Sequence, residues 1–355
     1  MSRPTMVLSG FLAAGALALG VTSPAGAEEE LKTETGSVLA EVTSKSTSRA
    51  TEVLNGVANV STDSTGDAAI DATVAGTDLI IPTDPSDPIT VKSHKGDVIS
   101  VELPFADKAA DAVVVADGVV AFDNRNASTT AAIAKGEGSL QVVTIIDSAS
   151  APTRYVYEFN LPEGAEVIAA GTTLLFIDDG KLFGGLAPAW AKDSAGRDVP
   201  TRYEVTGATI TQVVEHVGGE VTYPVVADPW IGLALFQNIS VAQKEEKGQP
   251  VVNLDLSGWG WAVYIGITQG GGAVGFAAGQ AILNTAGWDE AWSKGGRVRR
   301  ALDKPSQRQQ FSCHALGALA AGTWNLEKYR PNRIGGDWWS HAYIHHCNWN
   351  TSYRE

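Results

Sequence analysis

Apolar and polar positions alternate with period two in several short runs between residues 89 and 226. Residues 98–103, 155–159 and 203–205 each place every second side chain on one face, the pattern of a half-buried strand. Residues 113–115, 142–146 and 174–177 are short buried-type runs, as expected of strands buried more completely. Asp117-Gly118 and Asp179-Gly180 fall between such runs and predict tight hairpin turns, because glycine reaches positive φ without steric cost. No helical period intervenes, so the stretch reads as an all-β, sandwich-like region.

Upstream, residues 28–88 carry no sustained period and are rich in Ser, Thr, Ala and Asp. They read as a low-complexity polar segment with one or two strands, such as 78–81. Pro82, Pro85 and Pro88 each lack a backbone donor and fix φ, which predicts a stiff linker at the end of this segment. Residues 1–27 differ again: Arg3 precedes an uncharged apolar stretch over 6–21 and the small-residue run Ala25-Gly26-Ala27. That order is a secretory leader, with a mature start near Glu28.

The C-terminal third mixes periods. Residues 251–256 and 261–267 read as strands, and 276–294 as a helix interrupted by Gly279 and Gly287. Pro305, Ser306 and Gln309 form a capping-box pattern that opens a helix reaching about Ala321, with Gly322 as its stop. Asp337 is placed to cap a last short helix through His346. The expected architecture is therefore a mainly β, sandwich-like N-terminal region followed by a small α+β domain. Its expected segments are a leader over 1–27, a polar segment and linker over 28–88, an acidic β domain over 89–229, and a Trp-rich basic domain over 230–355.

Charge sharpens that division. The whole chain of 355 residues carries a net −14. Residues 28–229 hold 13 basic and 31 acidic side chains, residues 230–288 hold 2 and 3, and residues 289–355 hold 10 and 6. Nine of ten tryptophans lie at or beyond Trp230, which places a composition break at Asp228-Pro229-Trp230. The acidic bulk argues against a nucleic-acid partner. The basic, tryptophan-rich end suits an anionic or glycan partner, such as a cell-wall polymer or an anionic membrane surface. Two cysteines are too few for a disulfide scaffold or a four-cysteine zinc site. In an exported chain Cys313 and Cys347 are expected to pair.

The strings Gln310-Phe311-Ser312-Cys313-His314, then Trp324 to Pro331, then Cys347-Asn348 carry a resemblance. They are similar to a C-terminal module of secreted actinobacterial proteins classed only as a domain of unknown function. The usual pattern of that module is a Cys in a helix, a Trp-Asn-Leu-Glu-x-x-Arg-Pro turn and a second Cys near the end. Residues 188–193 and 223–230 resemble the β segment that commonly precedes it. The resemblance implies secretion and the disulfide, and it implies no activity.

Four sets of residues are candidates for chemistry or contact. His314, His341 and His345 form the one plausible metal set, since His341 and His345 are four apart on one helix face. Glu327, His314 and Arg330 would be the base and charge stabiliser of a hydrolase. Trp324, Arg330, Trp338, Trp339 and Trp349 are the candidate binding residues. Gly271, Gly275 and Gly279 repeat every four residues inside residues 256–288, a run of 33 positions without a charge or histidine. Trp259 and Trp261 precede its centre, and Trp288, Trp292, Lys294, Arg297, Arg299 and Arg300 follow it, which is the pattern of a membrane-seeking segment. Gly270 to Gly275 also satisfies G-x-G-x-x-G, but no βαβ repeat surrounds it, so no cofactor is expected. With no recognisable catalytic motif, the expectation is an exported, envelope-associated binding protein, non-enzymatic by default. The alternatives are a membrane-active effector that inserts 256–288, and a secreted hydrolase or metal enzyme.

Overall fold

The computed structural model describes residues 24–46, 51–93, 96–243, 245–265, 272–317, 322–334 and 347–352. Helix α1 (Pro24–Ser44) comes first, followed by a meander of β1 (Ala68–Val74), β2 (Thr77–Pro82), β3 (Ile89–Lys92) and β4 (Val98–Glu102). A second meander contains β5 (Val113–Ala116), β6 (Val119–Asp123), β7 (Ser128–Ala134) and β8 (Leu140–Ile146). The chain then moves between the sheets through β9 (Arg154–Asn160), β10 (Glu166–Ala170), β11 (Thr173–Asp178), β12 (Lys181–Leu186) and β13 (Trp190–Asp193). It continues with β14 (Thr201–Thr206), β15 (Thr209–Val214), β16 (Val225–Asp228) and β17 (Trp230–Gly232).

One sheet runs in the order β1-β2-β3-β4-β9-β15-β14. The other runs β10-β11-β12-β17-β8-β7-β6-β5, with β16 and β13 added beside β8. Ile81, Val91, Val101, Tyr157 and Ile210 of the first sheet meet Phe122, Val142, Phe176 and Ile231 of the second in one apolar core. Tyr155, Tyr157 and Phe159 are buried while Arg154, Val156, Glu158 and Asn160 are exposed, so the alternation of β9 marks an outer layer. β7 and β8 are buried at every position. Their second face carries Ala131, Ile133, Val143 and Ile145 into another core, shared with α1 and the C-terminal unit. The molecule therefore has three layers, and the ten-stranded sheet is the middle one.

The C-terminal unit places β18 (Phe236–Val241), β19 (Val251–Leu256) and β20 (Thr323–Glu327) in one small sheet. Between β19 and β20 lie α2 (Gly258–Ile265), α3 (Gly272–Ile282), a π-helical turn (Leu283–Gly287), α4 (Trp288–Ser293), α5 (Gly296–Leu302) and α6 (Pro305–Gly317). The expected plan, mainly β and sandwich-like followed by a small α+β unit with a Cys313–Cys347 disulfide, is what the structure has.

Several details depart from the sequence reading. Residues 24–44 are helical because Leu31, Thr35, Val38, Leu39 and Val42 fall on one helical face, so the segment expected over 28–88 to be polar with one or two strands opens within a helix. Leu39 is fully buried against the middle sheet. The Pro-rich stretch before Ile89 is no boundary, since it connects β2 to β3 inside one sheet. Trp230 pairs with Gln141 of β8, so the break in composition falls within a sheet and the C-terminal unit starts after Gly232. Residues 261–265 form α2, not a strand. Ser257 caps that helix: its hydroxyl accepts the Gly260 amide at 2.8 Å and donates to Ala234 O at 2.8 Å. Trp324 to Glu327 is the strand β20 rather than a turn, pairing Leu254 with Trp324. The capping box at Ser306 does not form. Asn332 Oδ1 accepts the Ser306 amide at 3.0 Å, and Gln309 bonds both backbone groups of Arg333.

Candidate functional site

Cys313 on α6 is bonded to Cys347, and both are buried beside Trp349. The aromatic core next to them contains Phe236, Tyr264, Phe311 and Trp324 in mutual edge contacts. His314 belongs to this core. Its ring stacks on Trp324 with centroids 5.5 Å apart and planes 11° from parallel. Burial pushes its pKa down to about 4, against a smaller upward pull from the Asn325 backbone. The imidazole is thus neutral near pH 7.

The other residues singled out for chemistry hold the chain end in place. Glu327 and Arg330 form an ion pair with side chains 15 % and 12 % exposed. Arg330 also donates to Asn350 Oδ1 and, at 3.3 Å, to Trp349 O. Trp349 donates its indole N–H to Pro331 O at 2.7 Å, and the Arg333 guanidinium lies 5.2 Å over its ring. Among the described residues no hydrogen bond or ion pair joins His314 to Glu327 or Arg330. The hydrolase constellation is therefore not assembled: one member is a neutral core ring, and the other two clamp the residues after the disulfide. Trp324 and Trp349 are 0 % and 3 % exposed, which corrects their assignment as binding residues. Trp338, Trp339, His341, His345 and His346 lie outside the described residues, so the metal set is represented only by His314.

Gly279 marks where α3 crosses α2. A Cβ there would stand 2.0 Å from Val263 O, so the small residue permits close helix contact inside the protein. Gly275 is part of α3 and Gly271 lies outside the described residues. Trp259, Val263, Tyr264, Ile282 and Leu283 join the same core as the middle sheet. Among the described residues no helix is long and apolar enough to cross a membrane.

The surface of α4 and α5 is different in kind. Trp288 and Trp292 stand four residues apart on α4, and their rings stack with centroids 5.9 Å apart and planes at 26°. The Arg308 guanidinium sits 5.1 Å over Trp288, and that of Arg299 sits 5.2 Å over Trp292. The result is a continuous chain of ring contacts, Arg308–Trp288–Trp292–Arg299. The π-helical turn feeds it. Asn284 in that turn accepts from Arg308 through its side chain at 2.9 Å and its carbonyl at 2.7 Å, and Ser312 accepts at 2.9 Å. Phe311 braces Trp288 edge-on at 5.3 Å.

Basic side chains of the C-terminal unit divide by role. Lys304 and Lys328 point inward, donating to the carbonyls of Lys328, Arg330 and Arg300. Arg308, Arg330 and Arg333 are held as described above. Lys294, Arg297, Arg299 and Arg300 are exposed, and none forms an ion pair with another described residue. These outward cations and the two stacked indoles are the candidate contact face. The charge cluster and tryptophan spacing were visible in the sequence. The stacking was not, because Arg308 reaches the face from α6. Comparison with family models, curated proteins and solved structures finds no match to this chain.

Proposed function

We propose that the chain is an exported, envelope-associated binding protein that holds an anionic wall polymer on the face built by α4 and α5. The observation that carries this reading is the Arg308–Trp288–Trp292–Arg299 stack beside the exposed Lys294, Arg297 and Arg300. Each indole has a guanidinium against its ring and the other indole stacked beside it, so the tryptophans act as a rigid support. Arg299 is exposed, and a guanidinium is suited to phosphate or carboxylate groups. A repeating polymer supplies such groups in series, and several adjacent cations engage them together.

A wall polymer fits better than a bilayer. An interfacial helix needs an apolar face to bury, whereas Ala301 and Leu302 of α5 are turned into the core. None of the large exposed apolar side chains, such as Ile80, Val217 or Ile334, lies on α4 or α5. The leader-like residues 1–27, the paired cysteines and the resemblance to secreted modules support export. The acidic β layers then serve as the carrier of this face.

Co-sedimentation of the full mature chain is the test. It is mixed in parallel with a wall fraction, with the same fraction stripped of charged polymer, and with anionic phospholipid vesicles. The chain should pellet with the charged wall fraction alone, and less so as salt rises. Arg299→Glu with Arg300→Glu should weaken binding about tenfold or more. Pelleting with vesicles but not with wall, or binding untouched by the double variant, overturns the proposal.

A further inference from the structure

A cleft of about 770 Å³ separates the β layers from the C-terminal helices, on the side of the π-helical turn. One wall is the β11–β12 hairpin, and the other is the turn with the start of α4. The volume matches that of pockets for small organic ligands, which favour junctions between structural units. Its floor leaves Leu175, Ile177, Leu182 and Leu233 only half-buried, apolar surface that the protein's own side chains do not finish covering.

The polar lining is strongly one-sided. Asp97, Glu137, Asp178, Asp179, Asp289 and Glu290 all reach the cleft, against Lys181 and Lys294. Two of these carboxylates have structural tasks. Glu290 accepts the amides of Leu235 and Phe236 at 2.7 and 3.2 Å, and Glu137 accepts from the Ser139 hydroxyl at 2.7 Å. Asp178 and Asp179 stand exposed at the tip of the hairpin, where Lys181 approaches Asp179 only to 4.0 Å. Asp289 is exposed on the opposite wall.

We infer that this cleft binds a small organic cation with an apolar body, its ammonium or amidinium group between Asp178, Asp179 and Asp289 and its body on Leu175, Ile177, Leu182 and Leu233. The half-buried apolar side chains supply contact area, and the excess of carboxylates along the lining excludes anions and favours a positive head. The site differs from the polymer face in the sign of its charge, and Lys294, which lines the cleft and belongs to the cation face, is the one residue the two share.

The probe is 2-phenylethylammonium, compared with the isosteric neutral 2-phenylethanol and anionic 3-phenylpropionate, each titrated into the full mature chain by calorimetry. Binding is expected for the cation alone. Asp178→Asn with Asp179→Asn should weaken it about tenfold while keeping the turn, because asparagine tolerates the φ of +46° at position 179. Leu182→Lys should abolish it, with wall binding and the unfolding midpoint checked in the same preparation. Equal binding of all three probes, no binding of the cation, or full retention in the Asn double variant overturns the inference.

Discussion

His314 rests against the indole of Trp324 at 5 % exposure, and burial holds its pKa near 4, below the ordinary value of 6.5. The unfolded chain therefore binds a proton that the folded chain refuses between pH 6.5 and about 4. Stability is complete above that window and falls as pH drops through it, by on the order of 3 kcal/mol from this group. Urea unfolding at pH 7 and pH 4.5 should show the loss, and His314→Phe should flatten the difference. Glu327 makes a second residue-scale test. Removing it as Glu327→Ala leaves the nearly buried Arg330 guanidinium without a counter-charge, with only the neutral acceptors Asn350 and Trp349 O, which costs about 3 kcal/mol of unfolding free energy. Wall binding by the folded variant should stay unchanged. His314 and Glu327 were recognisable in the sequence as interesting residues. Their separation was not, because a histidine's burial and an acid's partner are set by the packing of α6 on β20.

At the scale of elements, legibility followed how much of each pattern is local. β9 announced itself because one face meets the core and the other meets solvent. β8, buried on both faces, announced itself as a run of mostly apolar residues. The Asp179-Gly180 turn was legible for the same local reason, both residues taking positive φ. Helix α1 was hidden, since its buried stripe includes Thr35 and is diluted by charged and small residues. α2 was misread because Trp261, Val263 and Tyr264 favour strands, and the decision lay instead with the Ser257 cap and with Gly260. A Cβ at Gly260 would lie 2.0 Å from Leu235 O, and one at Gly279 would lie 2.0 Å from Val263 O. Gly260→Ala and Gly279→Ala should each destabilise the protein by about 2–3 kcal/mol, since backbone rather than a flexible side chain must give way. Gly218→Ala has open space around it, and only its φ of +92° opposes the change, so its cost should be about 1 kcal/mol. Thermal denaturation of the three variants provides the comparison.

For the molecule as a whole, the average net charge of −14 concealed two surfaces of opposite character. Acidic residues outnumber basic ones along the β layers, while four exposed cations, Lys294, Arg297, Arg299 and Arg300, follow one another from the end of α4 through α5. The two regions are nonetheless joined by a common core, in which Leu39, Val143, Trp230, Trp259 and Trp324 belong to one cluster. Gly232 lies under the Trp259 ring, where a Cβ would approach to 2.2 Å. Unfolding should accordingly be one transition, with tryptophan fluorescence and far-ultraviolet circular dichroism giving the same midpoint. The disulfide spans a sequence separation of 34 residues, and opening it as Cys313→Ser with Cys347→Ser should cost about 4 kcal/mol. The salt dependence of binding to charged wall polymer tests the central claim most directly. The wild-type chain should lose affinity steadily as salt rises, and the Arg299→Glu, Arg300→Glu variant, folded by its unchanged unfolding midpoint, should bind about tenfold more weakly at low salt. Wild-type affinity that ignores salt, or a variant that binds as tightly as wild type, would contradict the assignment of function to this face.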